Sequence, residues 1–161
     1  MESKLKIAGH PIHPMLVSFP IAFYAASVAC FITYQCNSDV FWFRAALVAN
    51  CAGVLTAVLA AVAGFVDWLN IPETRKAKKV GKNHMLCNVG ALLCFGINIF
   101  IQCPKWDETN PDASVAVILS AIGMILTLIA GFLGWSLVQK HHVGVSLTAE
   151  QERIDPVSGV N

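Results

Sequence analysis

Four long apolar blocks limit the folds open to this chain more than any other feature. Each block reaches the ~20 residues that a helix needs to cross ~30 Å of hydrocarbon. The chain is 56% hydrophobic and only 13% charged, a composition that excludes an ordinary soluble domain. We therefore predict an all-α integral membrane protein. It is a four-transmembrane-helix bundle formed by residues 1–145, with spans at about 15–34, 43–69, 84–103 and 113–138.

The distribution of basic residues predicts the orientation of this bundle. Nine of the eleven Lys and Arg residues fall on one side of the predicted spans, and only Arg44 and Lys105 fall on the other. By the positive-inside rule, we expect both termini to be cytoplasmic, together with a polar tail at 146–161. The basic run 75–82 is expected to contact anionic lipid, so no nucleic-acid partner is predicted.

The segment Gly9–Pro14, with the sequence GHPIHP, stands directly before the first span. Each of its histidines precedes a proline, which biases the histidine away from the α region and stiffens the backbone. Pro14 suits the first turn of a helix, and Pro20 is expected to kink the span that follows. The sequence therefore predicts two extended, ordered imidazoles at the mouth of a membrane helix.

All five histidines of the chain fall on the predicted cytoplasmic side. His13 and His84 each stand at the start of a helix, and the two helices run in the same direction. We therefore predict that these two residues form a ligand pair at one level of the bundle. The further candidates for this cluster are Asp67, His141 and, in reserve, His10.

Imidazole is the commonest transition-metal ligand and the usual axial ligand of haem. Two histidines on different helices suit a b-type haem (haem b), whereas two or three histidines with one carboxylate suit Zn or non-haem Fe. In the second case the metal ligands are predicted to be His13, His84, Asp67 and His141. Asp67 is equally suited to orient a ligating ring. The alternative is that all of these residues are interfacial polar groups that meet headgroups and water.

Polar and sulfur-containing residues within the spans give further expectations. Asn50, Asn88 and Asn98 are expected to face the bundle interior and to bond across helices. Cys36 and Cys103 stand at the outer ends of two spans, so an oxidising periplasm would allow a disulfide between them. Small residues in the second and fourth spans are expected to let helices approach closely.

Four runs of the sequence resemble one family of membrane proteins: GHPIHPMLVSFPIAF, GFVDWL, NHMLCN and LVQKHHVGV. Over residues 9–145 the chain resembles bacterial four-helix membrane proteins grouped as domain of unknown function 2231. The resemblance covers His10, His13, Asp67, His84 and His141. It implies a bacterial inner-membrane protein associated with redox chemistry.

The chain departs from the family pattern at two positions. At Ser18 relatives often have a second membrane histidine, and near Ser136 they often have Glu. These departures argue against a multi-metal or second-haem arrangement.

Two classes of function fit the sequence. The first is a membrane protein that binds haem b or a transition metal and serves in electron transfer, with a redox partner or a larger membrane complex. The second is a cofactor-free transporter or structural subunit of such a complex. No hydrolase motif stands out, and the sequence leaves open both an enzymatic activity and a homo-oligomer.

Overall fold

The computed structural model describes residues 3–145 together with 148, 150 and 153. In that part of the chain, four helical segments are long and apolar enough to cross a membrane, and they pack as a bundle. The predicted all-helical bundle is confirmed, whereas most of the predicted tail, 146–161, lies outside the described residues. The elements are β1 (Lys6–Ile7), β2 (His10–Pro11), α1 (Ile12–Leu16), α2 (Ser18–Asn37), α3 (Val40–Leu69), α4 (Lys76–Gln102) and α5 (Ser114–Gln139), with a 3-10 turn at Cys103–Lys105.

Two helices, α1 and α2, together form the first span, Ile12–Asn37. They are separated at Val17, one turn before Pro20. Proline has no N–H to donate to the carbonyl of Leu16, and its ring crowds that carbonyl. The interruption at Val17 therefore lies where Pro20 removes one helical hydrogen bond, while Val17 itself keeps a right-handed helical conformation. The kink expected at Pro20 stays a prediction.

The segment GHPIHP divides between two conformations. His10 and Pro11 are extended and form β2, which pairs with β1 through a two-residue turn. Both turn residues, Ala8 and Gly9, have positive φ, as this type of hairpin requires. His13 belongs instead to α1, so the extended backbone predicted for it is wrong. The N–H of Val17 donates to the carbonyl of His13 (3.1 Å), and this bond, with the ring contacts described below, offsets the bias that Pro14 imposes.

The outer surface of the bundle is apolar, while its interior contains small and polar side chains. Phe100 is 84% exposed, which places its ring where lipid would surround it. Ser27, Asn50 and Ala46 are fully buried. Because lipid is as apolar as the helix surfaces, the helices associate through close packing and interhelical hydrogen bonds rather than through hydrophobic burial.

The bundle consists of two helical hairpins, α2–α3 and α4–α5, within which the most extensive helix contacts occur. The hairpins repeat the same interactions 70–71 residues apart. Ser27 Oγ donates to the carbonyl of Ala46 (3.0 Å), and Asn98 Nδ2 donates to the carbonyl of Ala116 (3.2 Å). Here 27 corresponds to 98, and 46 to 116.

Aromatic rings repeat in the same way. Tyr24 packs against Gly53 and Phe95 packs against Gly123, so closely that a Cβ added to either glycine would lie 2.7 Å from the ring. The two rings then stack on each other with centroids 3.7 Å apart. The two hairpins are therefore internal repeats that run in the same direction and are related by an axis along the bundle. This arrangement is found in several membrane protein folds.

Candidate functional site

His13 is held against α3 by one hydrogen bond and one glycine. Its Nδ1 lies 2.8 Å from the carbonyl oxygen of Ala60. Gly64, one turn further along α3, leaves the space that the ring occupies, because a Cβ there would lie 2.7 Å from Cε1 of His13. A carbonyl oxygen only accepts hydrogen bonds, so Nδ1 carries the proton and the neutral ring keeps its lone pair on Nε2.

His84 is held against α5 in the same manner. Its Nδ1 lies 2.8 Å from the carbonyl oxygen of Ala130, and a Cβ on Gly134 would lie 3.1 Å from Cε1 of His84. Asn88, one turn further along α4, donates from Nδ2 to Nε2 of His84 (3.1 Å). This contact independently assigns the lone pair of His84 to Nε2, since an amide nitrogen is a donor.

The two imidazoles meet between the repeats. Their ring centroids are 6.2 Å apart and the ring planes are nearly perpendicular, at 88°. Both rings are half-buried. The structure thus brings together the two residues predicted to form a pair, although His84 lies in the third turn of α4 rather than at its start.

Asp67 binds the N-terminal segment rather than either ring. Its carboxylate accepts hydrogen bonds from Ser3 Oγ (2.7 and 2.9 Å) and from the backbone N–H of Lys4 (2.9 Å). The backbone carbonyls of Ala60 and Ala130 occupy the orienting position that the sequence suggested for this carboxylate.

The remaining predicted ligands, His10 and His141, lie outside the helices that carry the pair. His10 Nδ1 lies 2.9 Å from the carbonyl oxygen of Ala8, in its own hairpin. His141 is half-buried in the turn after α5. Among residues 3–145, 148, 150 and 153, no three His, Cys, Asp or Glu side chains gather closely enough to hold a metal ion.

Two other groups of side chains differ from expectation in instructive ways. Of the three asparagines, Asn98 bonds across helices as predicted, Asn88 bonds to His84 on its own helix, and Asn50 is buried without a protein partner. The described cysteines are all free, including Cys36 and Cys103, between which a disulfide was predicted.

The residues that contact and orient the two imidazole rings were not identified from the sequence as part of the site. They are Ala60 with Gly64, and Ala130 with Gly134. The spacing A-x-x-x-G at 60–64 recurs 70 residues later at 130–134, and the glycine of each of these two copies faces a histidine. That repetition is the signal from which the carbonyl and glycine contacts could have been inferred.

The fold defines a multi-pass integral membrane protein of four spans, with a histidine pair between two repeated hairpins. The chain belongs to the predicted membrane protein family DUF2231, whose model matches residues 9–147. No curated protein and no solved structure gives a match. The family to which the sequence was likened is thereby confirmed.

Proposed function

We propose that this protein binds one b-type haem between His13 and His84 and transfers electrons through it. The observation that carries the proposal is the pair itself. Two imidazoles, each fixed by a bond from Nδ1 to a backbone carbonyl, approach each other between the two repeats. An Nδ1–H bond to a carbonyl is the usual means by which proteins orient a ligating histidine.

The separation of the rings supports ligation through a single metal. A ring nitrogen lies about 1.1 Å from the ring centre and a metal–nitrogen bond is about 2.0–2.1 Å long, so two imidazoles in line through one metal have centres about 6.2–6.4 Å apart. The observed separation is 6.2 Å. Coordination in line permits any angle between the two ring planes, including the observed 88°.

The number of available ligands favours haem over a bare ion. A porphyrin supplies four nitrogens, so the protein needs to add only two. Zn and non-haem Fe sites draw three or four ligands from the protein, and the described residues gather no group of three. His84 must then exchange its hydrogen bond from Asn88 for the metal, which leaves the amide free to turn away.

The role of the bound haem would be to accept and release one electron. The protein holds the two rings, and Gly64 and Gly134 leave the space that those rings occupy. We also propose that both termini are cytoplasmic, in the inner membrane of a bacterium. The pair would then exchange electrons with a partner protein or complex on that side, because His13 and His84 lie nearer to that end of their helices.

The visible spectrum of the detergent-purified protein tests the proposal. We expect a Soret band that shifts on reduction with dithionite, and one haem per chain by the pyridine haemochrome assay. His13→Ala and His84→Ala should each abolish haem retention. The matched control is His10→Ala, since this histidine lies three residues away but bonds within its own hairpin.

Two results would contradict haem binding. A colourless protein that contains stoichiometric Zn or Fe would assign the pair to a bare ion. A colourless, metal-free protein, purified from cells supplied with haem, would favour the cofactor-free transporter or structural subunit. Full haem occupancy in the double variant His13→Ala, His84→Ala would move the site elsewhere.

A further inference from the structure

A second group of polar side chains lies in the bundle, far from the histidine pair. Tyr24 stands eleven residues after His13, which corresponds to ~16 Å along a helix. Between its level and the outer end of α4, the described chain buries six side-chain atoms that have no protein hydrogen-bond partner. They are Tyr24 Oη, Asn50 Nδ2 and Oδ1, Asn98 Oδ1, and Gln102 Nε2 and Oε1.

These atoms occupy the centre of the bundle rather than its surface. Asn50, Asn98 and Gln102 are fully buried and Tyr24 is 3% exposed. Asn98 and Gln102 are one turn apart on the same face of α4. Ser27 and Asn98 occupy equivalent positions in the two repeats, and Ser27 bonds to Ala46. Asn50 lies one turn from Ala46 on α3. Three helices thus contribute to a polar layer about two helical turns deep, from Asn50 to Gln102.

The chemistry of the layer restricts what it can bind. A polar group left without a hydrogen-bond partner in the hydrocarbon region costs several kcal/mol. Six such atoms therefore favour a bound molecule that supplies the missing hydrogen bonds. The layer offers amide and hydroxyl donors together with amide and hydroxyl acceptors, and none of its four side chains carries a charge. A bound cation would pair with the acceptors only and leave the donors unsatisfied, and a bound anion would do the reverse.

The geometry points to a buried binding site for ordered water molecules between the two repeats, formed by Tyr24, Asn50, Asn98 and Gln102. Water donates and accepts at once, and a buried water typically makes about three hydrogen bonds to groups that lack other partners. A larger polar solute is disfavoured because the four side chains leave almost no exposed surface through which it would enter.

Radiolytic hydroxyl-radical labelling of the intact protein in lipid nanodiscs tests this site. Radicals form where water is, so buried rings beside ordered water are oxidised while rings in lipid are not. We expect oxidation at Tyr24 and at Phe95, which stacks on it. The control is Phe100, which lies on α4 between Asn98 and Gln102 but faces outward.

The variant Asn50→Leu, Gln102→Leu provides the second measurement. It removes four of the six unpartnered atoms, and we expect the loss of labelling at Tyr24 and Phe95. Labelling of both rings in the wild type, lost in the variant, supports the site. Wild-type rings as unreactive as Phe100 would overturn it, as would undiminished labelling in a folded variant. If the variant does not fold, the wild-type comparison alone decides.

Discussion

Replacing Gly64 with alanine should disturb the histidine pair without altering any histidine. The added Cβ would lie 2.7 Å from Cε1 and 2.8 Å from Nδ1 of His13, which is closer than carbon and nitrogen atoms pack. The imidazole must therefore move, and its hydrogen bond to the carbonyl of Ala60 must lengthen or break.

The expected change in the free energy of unfolding follows from two costs and one gain. Loss of a net hydrogen bond costs about 0.5–1.5 kcal/mol, and overpacking of a well-filled interior costs about 1–3 kcal/mol. The gain in helix propensity from glycine to alanine offsets about 1 kcal/mol. We therefore expect Gly64→Ala to lower the free energy of unfolding by roughly 0.5–3.5 kcal/mol. If the pair binds haem as we propose, the affinity for haem should fall about 10–100-fold, as for other changes to groups that orient a ligand.

Two further glycines make this a graded series. A Cβ on Gly134 would lie 3.1 Å from Cε1 of His84, whereas a Cβ on Gly131 would meet nothing within 4 Å. We expect Gly134→Ala to be milder than Gly64→Ala, and Gly131→Ala to be neutral or slightly stabilising. Unfolding in detergent and the haem-to-protein ratio measure the two effects. Equal stability and equal haem content in Gly64→Ala and Gly131→Ala would refute the packing argument.

Three other predictions concern regions outside the histidine pair. In a cysteine-free background, Lys79→Cys should resist a membrane-impermeant thiol reagent added to intact cells while Asp107→Cys reacts; the reverse pattern would invert the orientation. Asp67→Ala removes the acceptor that holds the N-terminal segment, so trypsin should cleave that segment faster, and an unchanged rate would show that the carboxylate does not anchor it. The N–H of Ser114 donates to Asp112 and holds the pKa of this carboxyl below its ordinary value of 3.8. Its contribution to stability is thus present above that pH and is lost as pH falls through the lower, folded-state pKa. Asp112→Asn should flatten the acid limb of the unfolding profile, and an unchanged limb would argue against a contribution from this hydrogen bond.

The helical architecture was predictable because it depends on block length and on the absence of charge. Lipid leaves a long apolar segment no alternative to a helix, since every backbone polar group must bond internally. The pairing of His13 with His84 was also accessible, because the two helices run in the same direction and each carries its histidine towards the same end of the bundle.

The contacts of the individual side chains were not predictable in the same way. Asp67 lies seven residues beyond Ala60 on α3, and its partners Ser3 and Lys4 belong to a segment with no apolar pattern to position it. The carbonyls that hold the rings belong to two alanines, Ala60 and Ala130, and a backbone group leaves no signature in residue type. Helix rotation decides such contacts, and it follows from packing across the whole bundle.

The repeated hairpins suggest how a site with two nearly equivalent ligands arises. A chain of one hairpin, bearing one histidine, would form the same pair by dimerising about the same axis. Fusion of two copies through the connection at 70–75 would free each copy to diverge. The residues of the second repeat that correspond to Asn50 and Asp67 are Ser120 and Leu137. We therefore expect that residues 1–73 and 74–161, expressed as separate chains, reassemble in the membrane into one protein.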